Sequence, residues 1–429
     1  MKKFSEYNVR ISLSENSDII YNTLYNTFIA IKSDIKLESV SDLSDDLLEL
    51  FINNNMIIPQ DVNEYEEVIE QWVKKVSDPK EYNLIINPTL KCNFNCWYCY
   101  EDHNNAPRMT LKILNQIIKI IKNTIFKGEI IQISFFGGEP FLEFNKIIKP
   151  IIINSEFFAK ESKKKVHFSF TTNGYLLNDS IIDFLTDYNV KFMQITLDGG
   201  RKFHNKVRKS LKGDSYDKII TNVKKLIERN IFVTIRINIT PENINTCGDI
   251  VDWLNKLPKG LKKLLNINLQ QVWQTVNTCD ISNQIDDLLD LICKSGVYAY
   301  PAIMDNFRNM CYSDKLNTIL INSDGNIFKC TAVDFKKEDC ISNIFYDTWK
   351  DDLVNCFKLT QEKRFNNNSC KICKIFPLCL RGCFKNVSNI NNKSKCFFNN
   401  DEERKKNLIR TIIKDRVRRD MVYNYDSLK

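Results

Sequence analysis

Three cysteines within eight residues constrain this chain more than any other feature. Cys92, Cys96 and Cys99 are spaced C-x3-C-x2-C, shortly after the apolar run 84–86. An ordinary structural zinc or cubane site takes four protein ligands, and this loop offers three. Three thiolates on one short loop can hold three irons of a [4Fe–4S] cluster and leave the fourth iron open to a small molecule. The spacing therefore predicts an iron–sulfur site with an open coordination position at residues 92–99.

Composition places the chain among ordinary folded proteins. Its 429 residues are 43% hydrophobic and 27% charged, which allows two or three domains with a sizeable core. The N-terminal sequence MKKFSEYNVR lacks the apolar segment of a signal peptide, and no run approaches the roughly 20 apolar residues of a membrane span. We therefore expect a cytoplasmic protein that binds no membrane. Its basic residues lack interleaved aromatics, so we expect no nucleic acid either. In a reducing compartment, fifteen cysteines indicate metal binding rather than disulfides.

Between residues 82 and 290, short apolar strands alternate with helical stretches, which predicts an α/β fold on a parallel sheet. The predicted strands are 83–87, 130–136, 166–170, 192–197, 231–237 and 264–269. The predicted helices include 110–126, 144–160, 179–187 and 215–229. Polar motifs follow several of these strands, at the end of the sheet where parallel α/β barrels carry their chemistry.

Residues 1–80 precede this pattern and predict a small α+β domain. Alternating sequences at 7–13 and 19–24 predict a pair of strands. Residues 41–52 and 63–76 predict two amphipathic helices.

The cysteine spacing, with an aromatic residue, Tyr98, before the last cysteine, resembles the signature of radical S-adenosylmethionine (SAM) enzymes. This resemblance implies a partial (β/α)6 TIM-type barrel over residues 81–300. It also implies that Cys92, Cys96 and Cys99 are ligands of the catalytic [4Fe–4S] cluster, whose open iron binds the amino and carboxylate groups of SAM. Tyr98 would lie near the adenine, and reductive cleavage of SAM would release a 5′-deoxyadenosyl radical.

Polar motifs after the predicted strands resemble the SAM-binding elements of the same family. Gly137-Gly138-Glu139-Pro140 resembles the GGEP element that holds the SAM amino group, and glycines let the backbone approach a ligand closely. The other positions that match SAM contacts of the family are Thr171, Asn173, Asp198, Arg236 and Asn238. Each has a structural alternative, because tight turns and buried Arg–carboxylate pairs occur in many proteins.

Asp198-Gly199 is followed by His204 and Arg208, which resembles the D-G…H…R run of the SPASM branch of this family. The chain has three histidines, so a histidine beside a motif is a candidate site residue. A satisfied surface histidine is the alternative.

Beyond residue 300 the alternation stops, and cysteines surround an expected β-hairpin at 319–328 with an Asp-Gly turn. Seven cysteines match the SPASM signature, namely Cys311, Cys330, Cys370, Cys373, Cys379, Cys383 and Cys396. The resemblance implies two auxiliary [4Fe–4S] clusters, and so three clusters in all, in a domain at 301–429 that ends in a charged helix at 402–419. One ligand set would be Cys370, Cys373, Cys379 and Cys396, and the other would contain Cys311, Cys330 and Cys383. The four closely spaced thiolates at 370–383 could alternatively bind zinc.

The second ligand set lacks an eighth cysteine. Some relatives carry it six residues before the first of the seven, where this chain has Asp305. Asp305, Cys293 or a substrate thiolate could complete the set. Cys293 could equally pack in a helix as a small hydrophobe.

The resemblance implies a radical SAM/SPASM maturase that modifies a ribosomally synthesised peptide through a thioether or carbon–carbon cross-link. Expected partners are the precursor peptide and an external electron donor such as flavodoxin or ferredoxin. Residues 1–80 weakly resemble a winged-helix-like module that binds the leader of such a peptide, and a brace for the barrel is the alternative.

Two other functions are compatible with the sequence. One is an anaerobic sulfatase-maturating enzyme, which oxidises Cys or Ser to formylglycine. In those relatives an Asp follows the second hairpin cysteine, whereas Thr331 follows Cys330 here. The other is an iron–sulfur electron-transfer or scaffold protein without SAM chemistry.

Overall fold

The structure is a computed structural model of the 429-residue chain and describes residues 1–103, 107–210, 213–275, 280–304, 310–388 and 396–423. The chain divides into two compact units. The first unit contains Met1–Ser77, Phe307–Cys311 and Asn355–Lys414, and the second contains Asp78–Asn306, Tyr312–Val354 and Asp415–Lys429. The domain boundaries expected at residues 80 and 300 stay a prediction.

Strands are found in both units. They are β1 Lys2–Phe4, β2 Asn8–Ser14, β3 Ser17–Asn22, β4 Thr27–Lys32, β5 Ile57–Pro59, β6 Glu81–Ile86, β7 Ile130–Phe135, β8 Lys165–Thr172, β9 Phe192–Leu197, β10 Phe232–Ile239, β11 Leu265–Gln271, β12 Tyr298–Pro301, β13 Thr318–Ile321, β14 Asn326–Phe328 and β15 Ser342–Asn343.

The α-helices lie between and after these strands. They are α1 Asp45–Asn53, α2 Glu64–Val76, α3 Leu111–Ile125, α4 Lys149–Ser162, α5 Asp179–Asp187, α6 Arg201–Val207, α7 Tyr216–Glu228, α8 Gly248–Lys256, α9 Lys259–Lys262, α10 Ser282–Lys294, α11 Trp349–Phe365, α12 Asn368–Lys371, α13 Phe376–Cys379, α14 Phe384–Ser388 and α15 Glu402–Tyr423. Within the described ranges, none of these helices is long and apolar enough to cross a membrane.

The second unit is built on a ten-stranded sheet in the order β12-β11-β10-β9-β8-β7-β6-β13-β14-β15. Strands β6 to β12 follow one another in chain order, and each is parallel to its neighbour. Helices connect them, as a parallel sheet requires. The expected α/β class and all six predicted strands are confirmed.

One parallel strand, β12, was not predicted. It covers four residues, pairs Tyr300 with Asn268 of β11, and ends at Pro301. A short edge strand with a terminal proline gives a weak periodic signal, because proline cannot donate to the ladder.

The main sheet has one apolar and one polar face. In β7 the side chains of Ile131, Ile133 and Phe135 are fully buried, while Gln132 and Ser134 point to the other side and are half-buried. The same alternation runs through the neighbouring strands, and their registers align the polar residues in rows. The polar face consists of Gln132, Ser134, Ser169, Thr171, Gln194, Thr196, Thr234, Arg236, Asn238, Asn266, Asn268 and Gln270.

In the first unit, residues from both ends of the chain share one core. The N-terminal region contains an antiparallel sheet β2-β3-β4. Strands β1 and β5, which precede and follow this sheet in the sequence, form a separate antiparallel pair. From α2, Trp72 stacks on Phe357 at 6.3 Å and meets Phe365 edge-on at 5.2 Å between ring centroids. Tyr65 stacks on Phe376 at 5.4 Å. Strand β4 and the pair β1–β5 were not predicted, whereas both helices and two strands of this region were.

The predicted hairpin after residue 318 is present. Strands β13 and β14 pair antiparallel, and Gly325 in the turn has a φ of +85°, which glycine adopts without strain. Strand β13 also runs parallel to β6 with Leu320 beside Ile85, so the hairpin extends the main sheet on the side of β6.

Candidate active site

The predicted cluster ligands lie on one loop that follows β6, which we call the cysteine loop (residues 92–99). Its three thiols are free, and the Cys99 backbone N–H donates to the Cys96 carbonyl at 3.0 Å. The Phe94 N–H and the Asn173 side-chain amide point at the Cys92 sulfur, at 3.4 and 3.9 Å. The Cys99 sulfur lies 3.3 Å from His103 Nε2, a contact that the sequence did not indicate.

The surroundings of the loop fit a negatively charged cluster. Burial raises the pKa of the Cys92 thiol to about 12, so binding a metal there must displace a proton. Two donors near the loop, Arg208 Nε and Asn93 Nδ2, are buried and meet no acceptor within the described residues. No group of three His, Cys, Asp or Glu side chains in those ranges has the arrangement of a single metal-ion site. The ligand assignment therefore rests on the three thiols and these unpaired donors.

The turn at Gly137-Gly138 clamps the segment that leads into the cysteine loop. The Gly138 N–H donates to the Thr89 carbonyl at 3.2 Å, and the Glu139 N–H donates to the Lys91 carbonyl at 2.9 Å. A Cβ on Gly138 would lie 2.3 Å from the Lys91 carbonyl oxygen, which is far inside van der Waals contact. Glycine is required here by close approach of two backbones.

Glu139 is fully buried and bound to protein groups. Its carboxylate accepts from Thr172 Oγ1 at 2.7 Å, from the Asn173 N–H at 2.8 Å and from the Phe141 N–H at 3.1 Å. Burial raises its pKa to about 7, and these three hydrogen bonds oppose the rise. The carboxylate thus ties the Gly-Gly turn to the end of β8, and its expected contact with the SAM amino group stays a prediction.

The polar residues at the end of β8 have two different roles. Asn173 donates to Asn93 of the cysteine loop at 2.8 Å, while Thr171 lies on the polar face opposite Gln194. Thr172, which was not predicted as a site residue, is the threonine that binds Glu139. Strand alternation could have separated the two, because Thr172 shares the buried face of Phe168 and Phe170.

Several residues predicted as separate SAM contacts meet at the hydroxyl of Tyr98. This hydroxyl donates to Asp198 Oδ2 and accepts from Arg208 Nη1 at 2.7 Å and from Asn238 Nδ2 at 3.1 Å. Arg208 and Asp198 are 3.9 Å apart and both are buried. Arg236 extends the group, because its Nε donates to Asn238 Oδ1 at 3.1 Å. We call Tyr98, Asp198, Arg208 and Asn238 the tyrosine network; it fastens the cysteine loop to the ends of β9 and β10.

His204 is buried and supports this network through hydrogen bonds. Its Nδ1 accepts from the Asp198 N–H at 3.2 Å, so its Nε2 carries the hydrogen that reaches Ser215 Oγ at 3.0 Å. Ser215 in turn donates to the Arg208 carbonyl at 2.9 Å. Burial, with the nearby Arg208 charge, lowers the pKa of His204 to about 2. It is a neutral internal residue, and the alternative of a surface histidine is wrong.

Four cysteines of the first unit line one small cavity, which we call the four-thiol cavity (Cys370, Cys373, Cys379 and Cys396). These are the residues that the resemblance grouped as one ligand set. Burial raises the pKa of Cys379 to about 12, and the other three sulfurs add to the rise, so the four are electrostatic neighbours. Arg381 and Lys405 also line the cavity.

The second ligand set is divided between the units. Cys311 and Cys383 belong to the first and Cys330 to the second, so their grouping stays a prediction. Asp305 lies outside the described residues. Cys293 is 2% exposed, and its sulfur lies 3.7 Å from the Ala299 carbonyl and accepts from the Ala299 N–H, which fits a packed hydrophobe.

Replacing Gly138 should displace the cysteine loop. In Gly138→Ala the new methyl group would overlap the Lys91 carbonyl, so the backbone leading to Cys92 must move. We expect the iron content after anaerobic reconstitution to fall by the amount of iron that one cluster holds. Gly260→Ala is the control, because nothing lies within 4 Å of a Cβ at that position. Equal iron in both variants would contradict the clamp.

Removing one hydroxyl should loosen the cysteine loop. Tyr98→Phe leaves the buried Asp198 and Arg208 without their shared partner, at a cost of about 1–3 kcal/mol. Amide hydrogen exchange, followed by mass spectrometry, should be about tenfold or more faster in peptides that cover residues 90–100. Tyr346→Phe, at a 61% exposed tyrosine, should leave this exchange unchanged. Unchanged exchange in Tyr98→Phe would refute the anchoring role.

The His204 imidazole should stay neutral in acid. A folded pKa of about 2, against an ordinary 6.5, means that the unfolded chain gains this proton first, so stability falls as pH drops below 6.5. In histidine-labelled protein, one of three imidazole NMR signals should not titrate between pH 8 and 4, and it should vanish in His204→Gln. A His204 signal that titrates near pH 6.5 would show that the ring is not held neutral.

Comparisons with known proteins identify a domain within this chain. Residues 86–254 match the model of the Radical SAM superfamily. A radical SAM cyclopropyl synthase, TigE, from Paramaledivibacter caminithermalis is 24% identical over 80% of this chain and 78% of its own. A cysteine-type anaerobic sulfatase-maturating enzyme from Clostridium novyi is 25% identical over 72% of this chain and 89% of its own.

Two groups of solved structures share the fold. A structure of anSMEcpe with AdoMet and a peptide bound covers 79% of this chain and 99% of its own, with a TM-score of 0.60 at 18% identity. Streptococcus suis SuiB bound to its precursor peptide SuiA covers 92% of this chain and 98% of its own, with a TM-score of 0.52 at 16% identity. Residues 86–254 are therefore a Radical SAM domain, and over most of its length the chain is similar to radical SAM enzymes.

Proposed function

We propose that this enzyme is a peptide maturase that cross-links a ribosomally synthesised precursor through a thioether or carbon–carbon bond. The observation that carries the proposal is the four-thiol cavity, because an oxidative cross-link needs an electron acceptor besides the SAM site. Two similar folds, anSMEcpe and SuiB, have been solved with peptides bound. TigE is named as a cyclopropyl synthase, and closing a cyclopropane ring forms a carbon–carbon bond.

The residues of the second unit have defined roles in this proposal. Cys92, Cys96 and Cys99 would hold a [4Fe–4S] cluster which, with SAM, supplies a 5′-deoxyadenosyl radical when bound and reduced. The tyrosine network keeps the loop at the carboxyl ends of β9 and β10. Arg236 brings a positive charge that would suit the SAM carboxylate, and Asn238 positions it by accepting from Arg236 Nε.

The polar face would receive the peptide and the SAM ribose. Its side chains are mainly amides and hydroxyls, which can donate to and accept from a peptide backbone without imposing a charge. Arg236 brings a guanidinium to this face, beside Thr196 and Asn268 in the register. Such a surface suits a neutral chain whose target carbon is held near the cysteine loop.

The first unit would hold the auxiliary chemistry and the leader of the substrate. We assign one auxiliary [4Fe–4S] cluster to the four-thiol cavity, which lies within the first unit. The match to SuiB leaves less than a tenth of this chain uncovered, so it includes part of residues 1–77. In our proposal these residues bind the leader of the precursor peptide. An external donor of the flavodoxin or ferredoxin type would supply the first electron.

Sulfatase maturation is the second candidate, favoured by the Clostridium novyi relative and by the fold of anSMEcpe. The position after Cys330 argues against it. Thr331 is there, its N–H donates to the Tyr312 hydroxyl at 2.9 Å, and the two hydroxyls are 2.7 Å apart. Neither hydroxyl is a base at neutral pH, whereas the Asp of sulfatase maturases is a carboxylate.

The proposal is tested by anaerobic co-expression with the short peptides encoded beside this gene, followed by mass spectrometry. We expect one peptide to lose two hydrogens for each new bond. Its fragmentation spectrum should lack the ions that arise from cleavage between the two joined residues. The modification should vanish in Cys96→Ala and persist in Cys340→Ala, whose thiol belongs to neither proposed ligand set.

Other outcomes would assign the function differently. Unmodified peptides, together with an aldehyde in the active-site residue of a co-expressed sulfatase, would establish the second candidate. A peptide with an unchanged mass but an inverted residue would replace cross-linking by epimerisation.

A further inference from the structure

A cleft on the apolar side of the main sheet has no part in the proposed peptide chemistry. Its floor consists of Tyr82 and Leu84 from β6 and Ile319 from β13, and its walls are α3 and the first turns of α11. Leu84 is paired in register with Ile133 of β7, and paired residues of neighbouring strands point to the same side of a sheet. The cleft therefore lies on the helix-covered side, opposite the polar face. All of its lining residues belong to the second unit.

The interior of the cleft is apolar and large enough for a small molecule. Ile120 of α3 and Leu353 of α11 are each 6% exposed, and Trp349 adds an indole ring to the wall. The cavity volume is about 350 Å³, and small-molecule sites occupy roughly 300–1,000 Å³. Three polar side chains of the lining already donate to backbone carbonyls, namely Gln116 to Ile344, Thr124 to Ile120 and Asn317 to Asp78. A ligand inside the cleft would therefore contact mainly apolar surface.

Three exposed lysines line the same cleft. Lys119 and Lys127 extend from α3, and Lys350 extends from α11. Of the described residues that line the cleft, none is acidic. No carboxylate in the described ranges lies within salt-bridge distance of these three ammonium groups. The cleft thus combines an apolar interior with a positively charged rim.

The positive charge extends along the whole α3 segment. Residues 107–128 contain no Asp or Glu, and their cations are Arg108, Lys112, Lys119, Lys122 and Lys127. Glu81 and Glu129, which adjoin the floor and α3 in the sequence, pair with lysines outside the cleft. On α11, Asp352 accepts from a serine hydroxyl at 2.6 Å, and Asp351 does not line the cleft. The rim therefore favours an anion from outside the chain.

An apolar cleft with a cationic rim is complementary to an amphipathic anion. Burial of an apolar body in the cleft is favourable, and an acid group at its edge accepts charge-assisted hydrogen bonds from ammonium groups. A neutral apolar molecule would gain only the first contribution, and an inorganic anion only the second. We propose that this cleft binds a small organic anion that has an aromatic or aliphatic body and one carboxylate or sulfonate group. The site is independent of the proposed peptide chemistry.

Naphthalene-2-sulfonate is a probe of this class, and naphthalene-2-sulfonamide is its neutral analogue with the same ring system. Isothermal titration calorimetry of the anaerobically reconstituted full chain should show one sulfonate bound per chain. A single variant that combines Lys119→Gln, Lys127→Gln and Lys350→Gln should bind the sulfonate about tenfold more weakly, because three charge-assisted contacts at an exposed rim are removed. Its affinity for the sulfonamide should stay unchanged.

Further variants locate the site. Lys122 lies on the same helix, but its ammonium is over the Phe158 ring at 5.5 Å and does not line the cleft, so Lys122→Gln should bind the sulfonate as before. Val354 is 37% exposed and lines the cleft, so Val354→Glu should abolish binding through charge repulsion. Val354→Gln, which has the same size without the charge, should bind more tightly than Val354→Glu.

Equal sulfonate affinity in the triple lysine variant and in Lys122→Gln would overturn the proposal, and so would sulfonate binding that survives Val354→Glu. Uptake of several molecules per chain without saturation would do the same, as would no binding at all. The substituted side chains are all exposed, so we expect the variants to keep the far-UV circular dichroism and the iron content of the unsubstituted chain.

Discussion

The hydroxyl of Tyr98 is the contact on which the candidate active site depends. It lies between two of the predicted cluster ligands in the sequence, and it joins three buried side chains from separate segments. The backbone clamp at Gly138 holds the entry to the same loop. A loop that carries three metal ligands must be held in position by other residues, because side chains that bind a metal cannot also fix the loop to the rest of the fold. Here Tyr98 and Gly138, which are not predicted ligands, hold the cysteine loop in position.

The polar face explains how a largely parallel sheet can carry chemistry. Parallel strands are normally apolar on both sides, and small barrels are filled with branched aliphatic residues. In this sheet the strands alternate, so only the helix-covered side is apolar. Amides and hydroxyls on the other side keep it wettable, and a polar cofactor or peptide can replace water there without losing hydrogen bonds. The alternation is thus a functional signal in the sequence.

Local patterns predicted most of the elements, and long-range contacts account for what was missed. The six main strands and the hairpin at Gly325 depend on periodicity and turn residues, which a sequence displays directly, whereas the grouping of Cys370, Cys373, Cys379 and Cys396 came from the family resemblance. The tyrosine network depends on side chains up to 140 positions apart, so the sequence predicted Asp198 and Asn238 as separate SAM contacts, and Arg208 as a candidate site residue, rather than as partners of Tyr98. The shared core of Trp72 with Phe357 and Phe365 was hidden for the same reason.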